Sequence, residues 1–178
     1  MRKGLLFFVC GLSLLLSGCG IWYRAPTTGK TADITFNAPL NLVALTDPYK
    51  CSNQLAFYIN AFTEKINTKI PASKLFTFRD IYYVGKKNNN DHVCSVTASF
   101  YPLVNRHYTV YPRAYELSDN YQCALEIYQD RAVYSNGDID DTVYPVDVTF
   151  RNYIVTNSFW GKGYCDDALA YQSSLGQK

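Results

Sequence analysis

The chain has 178 residues, 48% of them apolar and 18% charged, a balance too apolar for a disordered polymer and suited to one domain of ordinary size. Its formal charge of +2 comes from Arg2 and Lys3, because without them 15 basic residues (17 − 2) face 15 acidic ones. A neutral domain gives no reason to expect a polyanion surface, so nucleic acid is not expected as a partner.

The N-terminus reads as an address. Arg2 and Lys3 precede an apolar core from Leu5 to Leu16, of the roughly 7–15 residues usual for a secretory signal and short of the ~20 needed to span a bilayer. The segment ends in Leu16-Ser17-Gly18-Cys19, which resembles the bacterial lipobox. That resemblance implies a signal peptide over 1–18, cleavage before Cys19, a thioether-linked lipid on Cys19 and a fatty acid (palmitate) on the new amino terminus. Two or more acyl chains hold a protein stably at a bilayer where one does not. Gly20 and Ile21 follow, with no Asp in the second position. In Gram-negative lipoproteins this implies the outer membrane, with the protein facing either the periplasm or the cell surface. The competing reading is an ordinary cleaved signal that leaves Cys19 as a thiol.

Residues 19–30 read as a lipidated tether, since Pro26 and Gly29 oppose regular structure. From Thr31 to Lys178 a single β-rich domain is expected. Ala32, Ile34 and Phe36 alternate with polar residues; Asn41 to Leu45 is a second apolar run, stopped by Asp47-Pro48. Leu55 to Ile66 carries both helical and strand spacing, and strand is preferred because its flanks are strand-like. Leu75 to Val84 is aromatic and β-branched, and a polar turn is expected over Gly85 to His92. Val96, Ala98 and Phe100 share a strand face, with a hairpin connection over Leu103 to Arg106 leading to Tyr108, Val110 and Pro112. Cys123, Leu125 and Ile127, then Val146, Val148 and Phe150, repeat the period. The pattern predicts an all-β antiparallel sandwich, immunoglobulin-like or barrel-like, with one face of each sheet buried and the other wet.

With Cys10 in the signal and Cys19 lipidated, Cys51, Cys94, Cys123 and Cys165 remain. An even number in an oxidising compartment predicts two disulfides whose pairing the sequence leaves open. No two of the four have C-x-x-C spacing, so zinc is disfavoured.

The residues suited to chemistry are few. His92 and His107 have no second histidine at ligand spacing, and no G-x-S-x-G turn is present. His107 reads as a half-exposed strand residue; a pocket joining it to a buried carboxylate would change that reading. Asp138, Asp140 and Asp141 could offer oxygens to Ca²⁺, although a solvated hairpin turn at Asn136-Gly137 is the preferred explanation. No cofactor is expected. The excess is in tyrosine, 16 in all. Tyr108, Tyr111, Tyr115, Tyr128 and Tyr134 are candidate binding residues, because an exposed stripe of such rings offers area together with hydroxyls; the preferred explanation is ordinary strand filler, half buried with the hydroxyl wet.

Several segments resemble small proteobacterial envelope lipoproteins of no known activity. They are Ala32 to Phe36, Ile70-Pro71-Ala72-Ser73-Lys74 into Phe76-Thr77-Phe78, Cys94-Ser95-Val96 to Phe100-Tyr101-Pro102, Tyr108-Thr109-Val110, Gln122 to Tyr128, Val146 to Tyr153 and Trp160 to Cys165. The resemblance implies a small β-sandwich in the envelope and transfers no functional residue. The expectation is therefore a lipid-anchored, non-enzymatic interaction or structural module with a possible envelope protein partner. The alternative is a small inhibitor or a glycan or protein binder.

Overall fold

Strands β2 and β5 set the architecture because both of their faces are buried. In the computed structural model, which describes residues 22–60, 62–87, 90–116, 121–130, 143–157 and 162–172, all regular structure is β. The strands are β1 (Thr31–Asn37), β2 (Asn41–Asp47), β3 (Ser52–Ala56), β4 (Lys65–Pro71), β5 (Phe76–Lys87), β6 (Asn90–Phe100), β7 (His107–Glu116), β8 (Tyr121–Asp130), β9 (Tyr144–Pro145), β10 (Thr149–Asn157) and β11 (Lys162–Gln172). They form one sheet in the order β4-β1-β7-β8-β9 and another in the order β11-β10-β6-β5-β2-β3. The two sheets pack face to face, as the alternation predicts.

The main core lies between the sheets. β1 supplies Ala32, Ile34 and Phe36, β2 Leu42 and Ala44, β5 Phe76, Phe78 and Tyr82, and β6 Val96, Ala98 and Phe100. The alternate residues of β2, Val43 and Leu45, enter a second, smaller core with Cys51 and Cys165, against Tyr153. This second core exists because the six-stranded sheet curls until its edges meet. Cys51, just ahead of β3, is bonded to Cys165 of β11, with Cα atoms 5.2 Å apart. The Cys165 amide donates to Lys50 O at 3.0 Å, Arg151 Nη2 donates to Tyr49 O at 2.7 Å, and Gln54 Nε2 donates to the Tyr153 hydroxyl.

The polar face of this sheet is therefore not wet. Thr77, Arg79, Thr97 and Ser99 are all buried inside the curl. Thr77 and Ser99 hydroxyls are 2.7 Å apart, and Arg79 lies 4.4 Å from the centre of the Tyr153 ring. Desolvation lowers the Arg79 pKa, while the charge of Tyr153 opposes that shift. Such a cation gains from the ring face once it has lost water.

Three connections differ from expectation. Leu103 to Arg106 is not a hairpin, because β6 and β7 belong to different sheets. This segment crosses between them, turning at Asn105 with φ 56°, and it delivers β7 alongside β1 in parallel register, Ile34 opposite Tyr108. Leu55 to Ile66 is neither one strand nor a helix: β3 ends at Ala56, β4 begins at Lys65, and a turn built on Asn60 lies between. Its aromatic residues mimic a period because Phe57 is buried while Tyr58 and Phe62 stand in solvent. The polar turn after Val84 is also shorter than expected, since β5 runs to Lys87 and β6 starts at Asn90.

Those longer strands build an arm. β2 leaves β5 at Asn41 opposite Ile81, and β10 pairs β6 only over Thr97–Ser99. β1 leaves β7 at Phe36 opposite Val110, and β9 meets β8 only at Tyr128 and Gln129. Beyond these points each hairpin is a two-stranded ribbon among the described residues. Isolated ribbons of this kind are marginal in water. Here Cys94 of β6 is bonded to Cys123 of β8, Cα to Cα 5.6 Å. The Tyr82 hydroxyl adds a second clasp, reaching Arg113 O and Ala124 O at 2.7 Å each and accepting the Ala124 amide at 3.1 Å. Desolvation pushes its pKa up to about 12, so the donated proton stays in place.

Residues 22–30 carry no ladder, as expected, but they are docked. The Tyr23 amide donates to Ala56 O at 2.7 Å and its hydroxyl to Lys69 O at 2.7 Å, while its ring stacks on Phe57 at 4.4 Å. At the other end of the segment the Ala72 amide donates to Lys30 O at 2.9 Å. The segment thus lies along the seam between the edge strands β3 and β4.

Non-reducing peptide mapping should recover Cys51–Cys165 and Cys94–Cys123. The sequence separations are 114 and 29, so chain entropy alone assigns on the order of 5 and 4 kcal/mol to them. Removing the Cys51–Cys165 pair should lower Tm more than removing the Cys94–Cys123 pair.

Candidate functional site

The outer face of the five-stranded sheet gathers the polar side chains best placed for chemistry. Alternation along β7 turns His107, Thr109, Tyr111, Arg113 and Tyr115 outward, and the antiparallel register sets Asp130, Tyr128 and Glu126 of β8 opposite the first three. Asp33, Thr35 and Asn67 continue the face across β1 and β4.

At one end four strands contribute to a single network. His107 Nδ1 lies 2.6 Å from Asp130 Oδ2, which also accepts from Thr109 Oγ1 at 2.8 Å. His107 Nε2 lies 2.8 Å from Thr35 Oγ1, itself 2.7 Å from Asn67 Oδ1. The single hydroxyl proton cannot serve both neighbours. With Thr35 donating to Asn67, Nε2 donates to Thr35; with the Asn67 amide turned over, Thr35 donates to Nε2. Beside the network is a shallow groove of about 240 Å³ lined by Asp33, Ile34, Thr35, Asn67, Thr68, Lys69 and His107.

The second proton arrangement has the form of a hydroxyl nucleophile with a histidine base and an orienting carboxylate. Its surroundings do not suit acyl transfer. Thr35 sits mid-ladder, paired with Asn67 on one side and Thr109 on the other, so neighbouring amides serve the sheet and do not converge on an oxyanion. His107 and Asp130 side chains are 40% and 37% exposed, so water screens the pair. What the network offers is a fixed row of donors and acceptors for a hydroxyl-bearing or amide-bearing ligand.

The other end of the face runs from the root of the arm onto it and is aromatic. Tyr111 and Tyr128 meet edge-on at 5.9 Å, and the Arg113 guanidinium stands 5.6 Å from the Tyr111 ring centre. Arg113 Nε donates to Glu126 Oε2 at 2.8 Å. Tyr128 donates to the same oxygen at 3.1 Å and Tyr115 to Oε1 at 3.5 Å. Lost hydration, then the charge of Glu126, raises the Tyr128 pKa. Because Arg113 is about half exposed, water screens its ion pair and the stability it adds is modest.

Three of the five candidate tyrosines, Tyr111, Tyr115 and Tyr128, therefore share one surface. Tyr108 does not: it is 1% exposed, packs on Phe100 with centroids 5.1 Å apart and accepts the Leu103 amide at 2.7 Å. Its period with Val110 places it on the apolar face. Tyr134 and the weak Ca²⁺ candidates Asp138, Asp140 and Asp141 lie outside the described residues, as does Cys19. The sequence did not reveal the Thr35–His107–Asp130 alignment, since parallel pairing of β1 with β7 leaves no local signature.

A buried carboxylate does exist, away from His107. Asp80 of β5 is fully buried on the core face, both oxygens without a hydrogen-bond partner. Desolvation pushes its pKa up to about 7. A neutral acid fits there and an anion does not.

No family model matches the chain, and no curated protein or solved structure is significantly similar to it.

Asp80 generates a pH prediction. The folded chain holds this proton more tightly than the unfolded one, whose carboxyl has a pKa of 3.8. The resulting stability is complete below pH ~4 and is lost as pH rises toward 7. Asp80→Asn should flatten this slope and raise the urea midpoint at pH 8, where the full shift from 3.8 to about 7 corresponds to a gain on the order of 4 kcal/mol in unfolding free energy. An unchanged slope in the variant would assign the pH dependence to other groups.

Proposed function

We propose that the chain is a Gram-negative outer-membrane lipoprotein, held by lipid on Cys19, whose β domain is a non-enzymatic interaction module of the envelope. The lipobox-like Leu16-Ser17-Gly18-Cys19 supports the anchor. The observation that carries the interaction reading is the stapled arm. It projects two ribbons beyond the sandwich body and presents Tyr111, Arg113 and Tyr115 on one side, with Tyr128, paired to β9, at its root.

Aromatic and arginine side chains are the types that dominate binding energy at protein interfaces. The bonds within the arm make the surface rigid before it meets a partner, which lowers the ordering cost of association.

A second reading, a small ligand binder, draws on the groove beside His107. Its polar lining and open shape suit a glycan or peptide group. The two sites share one face and are separable by mutation.

Photo-crosslinking in intact cells distinguishes them. A photoreactive residue at Tyr115 should capture a defined envelope protein, and Tyr111→Ser with Tyr128→Ser should reduce that yield at least about tenfold without lowering Tm by more than a few degrees. Capture that persists in this variant but disappears in His107→Gln would move the function to the groove. Loss of membrane association in Cys19→Ala checks the anchor separately.

A further inference from the structure

Trp22, Tyr58 and Phe62 are 54%, 74% and 91% exposed. Trp22 meets Tyr58 edge-on, ring centres 6.1 Å apart. Phe62 is fixed by hydrogen bonds around Asn60: its amide donates to Asn60 Oδ1 at 2.9 Å, and the Asn60 amide donates to Thr63 Oγ1 at 3.0 Å. Large rings presented this way leave apolar area uncovered, a mark of an interaction surface. Arg24, also exposed, follows two positions after Trp22.

The position of these rings identifies what covers them. Trp22 bridges Ala56 at the end of β3, and Tyr58 and Phe62 belong to the connection that leaves that strand. Since Tyr23 is locked to Ala56, Lys69 and Phe57, the chain ahead of it is short. Cys19 is three residues from Trp22, which bounds their Cα separation at about 11 Å whatever path the chain takes. The polar layer of one leaflet is about 5–8 Å deep. A lipid on Cys19 therefore brings this corner to the bilayer surface.

We propose that Trp22, Tyr58 and Phe62 form a membrane-contact corner that enters the headgroup layer of the bilayer holding the Cys19 lipid. This rests on the lipidation reading above. Trp and Tyr favour that layer because their rings are apolar and their N–H and O–H groups remain wet. Phe62 supplies a purely apolar insertion, and the exposed Arg24 can meet lipid phosphate. Anchored by lipid and rings together, the domain holds one attitude to the membrane instead of swinging on a leash.

The chain has two tryptophans, Trp22 and Trp160, so one reporter can be moved at will. In a full-length protein carrying Trp22→Phe, Trp160→Phe and Phe62→Trp, processed in cells, purified and reconstituted in phosphatidylcholine vesicles, position 62 becomes the sole tryptophan. Brominated acyl chains should quench its emission by about twofold. The same reporter at Leu103, exposed at the opposite end of β1, should be unaffected. The mass of the N-terminal peptide reads lipidation independently. An acylated Cys19 with position 62 quenched no more than position 103 overturns the contact corner and leaves the anchor standing. An unacylated N-terminus removes the anchor and the proposal with it. A second sample with Trp22 as sole tryptophan should lose part of its quenching when Tyr58→Ser and Phe62→Ser are added.

Discussion

The structure depends on the double burial of β2, β5 and β6. Each strand gives one row of side chains to the space between the sheets and the other to the inside of the curled sheet. Leu42 and Ala44 face one way, Val43 and Leu45 the other. A sheet loaded on both faces cannot remain flat with an open back, so its margins close on each other through Cys51, Cys165 and Tyr153. The interior so formed sets a polar row, Thr77, Arg79, Thr97 and Ser99, beside this apolar cluster. Thr77 and Ser99 satisfy one another, and Arg79 is stacked on a ring in place of an acid. Buried polar groups constrain geometry more than they add free energy. This compartment therefore fixes the curvature on which the neighbouring sheet is laid.

The arm follows from strand lengths that do not match. β5 to β8 run past the ends of their neighbours, and ribbons without flanking strands would be unstable alone. A covalent bond and a three-partner tyrosine convert two weak hairpins into one rigid element. The same economy explains why the outer face can carry exposed rings. Tyr111, Tyr115 and Tyr128 are not needed to close a core, so they are free to be presented. The His107 network has a different origin, because it spans β4, β1, β7 and β8 and belongs to the body of the sheet.

Much of the fold was legible from period-two alternation: the β class, the disulfide count and the positions of β1, β2, β5, β6, β7 and β8. Three things were not. Alternation cannot distinguish a wet face from a polar face sealed inside a curl, so Thr77, Arg79, Thr97 and Ser99 read as solvated. Nor does it say which sheet a strand joins, and the step from β6 to β7 looked like a hairpin when it is a crossing. Sites assembled by parallel pairing, such as Thr35 with His107, bring together residues whose spacing along the chain carries no information. Of the candidate tyrosines, Tyr111, Tyr115 and Tyr128 lie on the outer face, whereas Tyr108, in register with Val110, packs inward.

The docked segment from Trp22 to Lys30 gives the molecule a definite mechanical response. A pull on the N-terminus would first work against Tyr23 and its few hydrogen bonds, which can release one after another. The load would then reach β1, which is laddered on both sides, antiparallel to β4 and parallel to β7. Extracting such a strand requires many bonds to break together. The seam therefore acts as a fuse ahead of a strong clamp, giving way under modest force while the sandwich behind it remains intact.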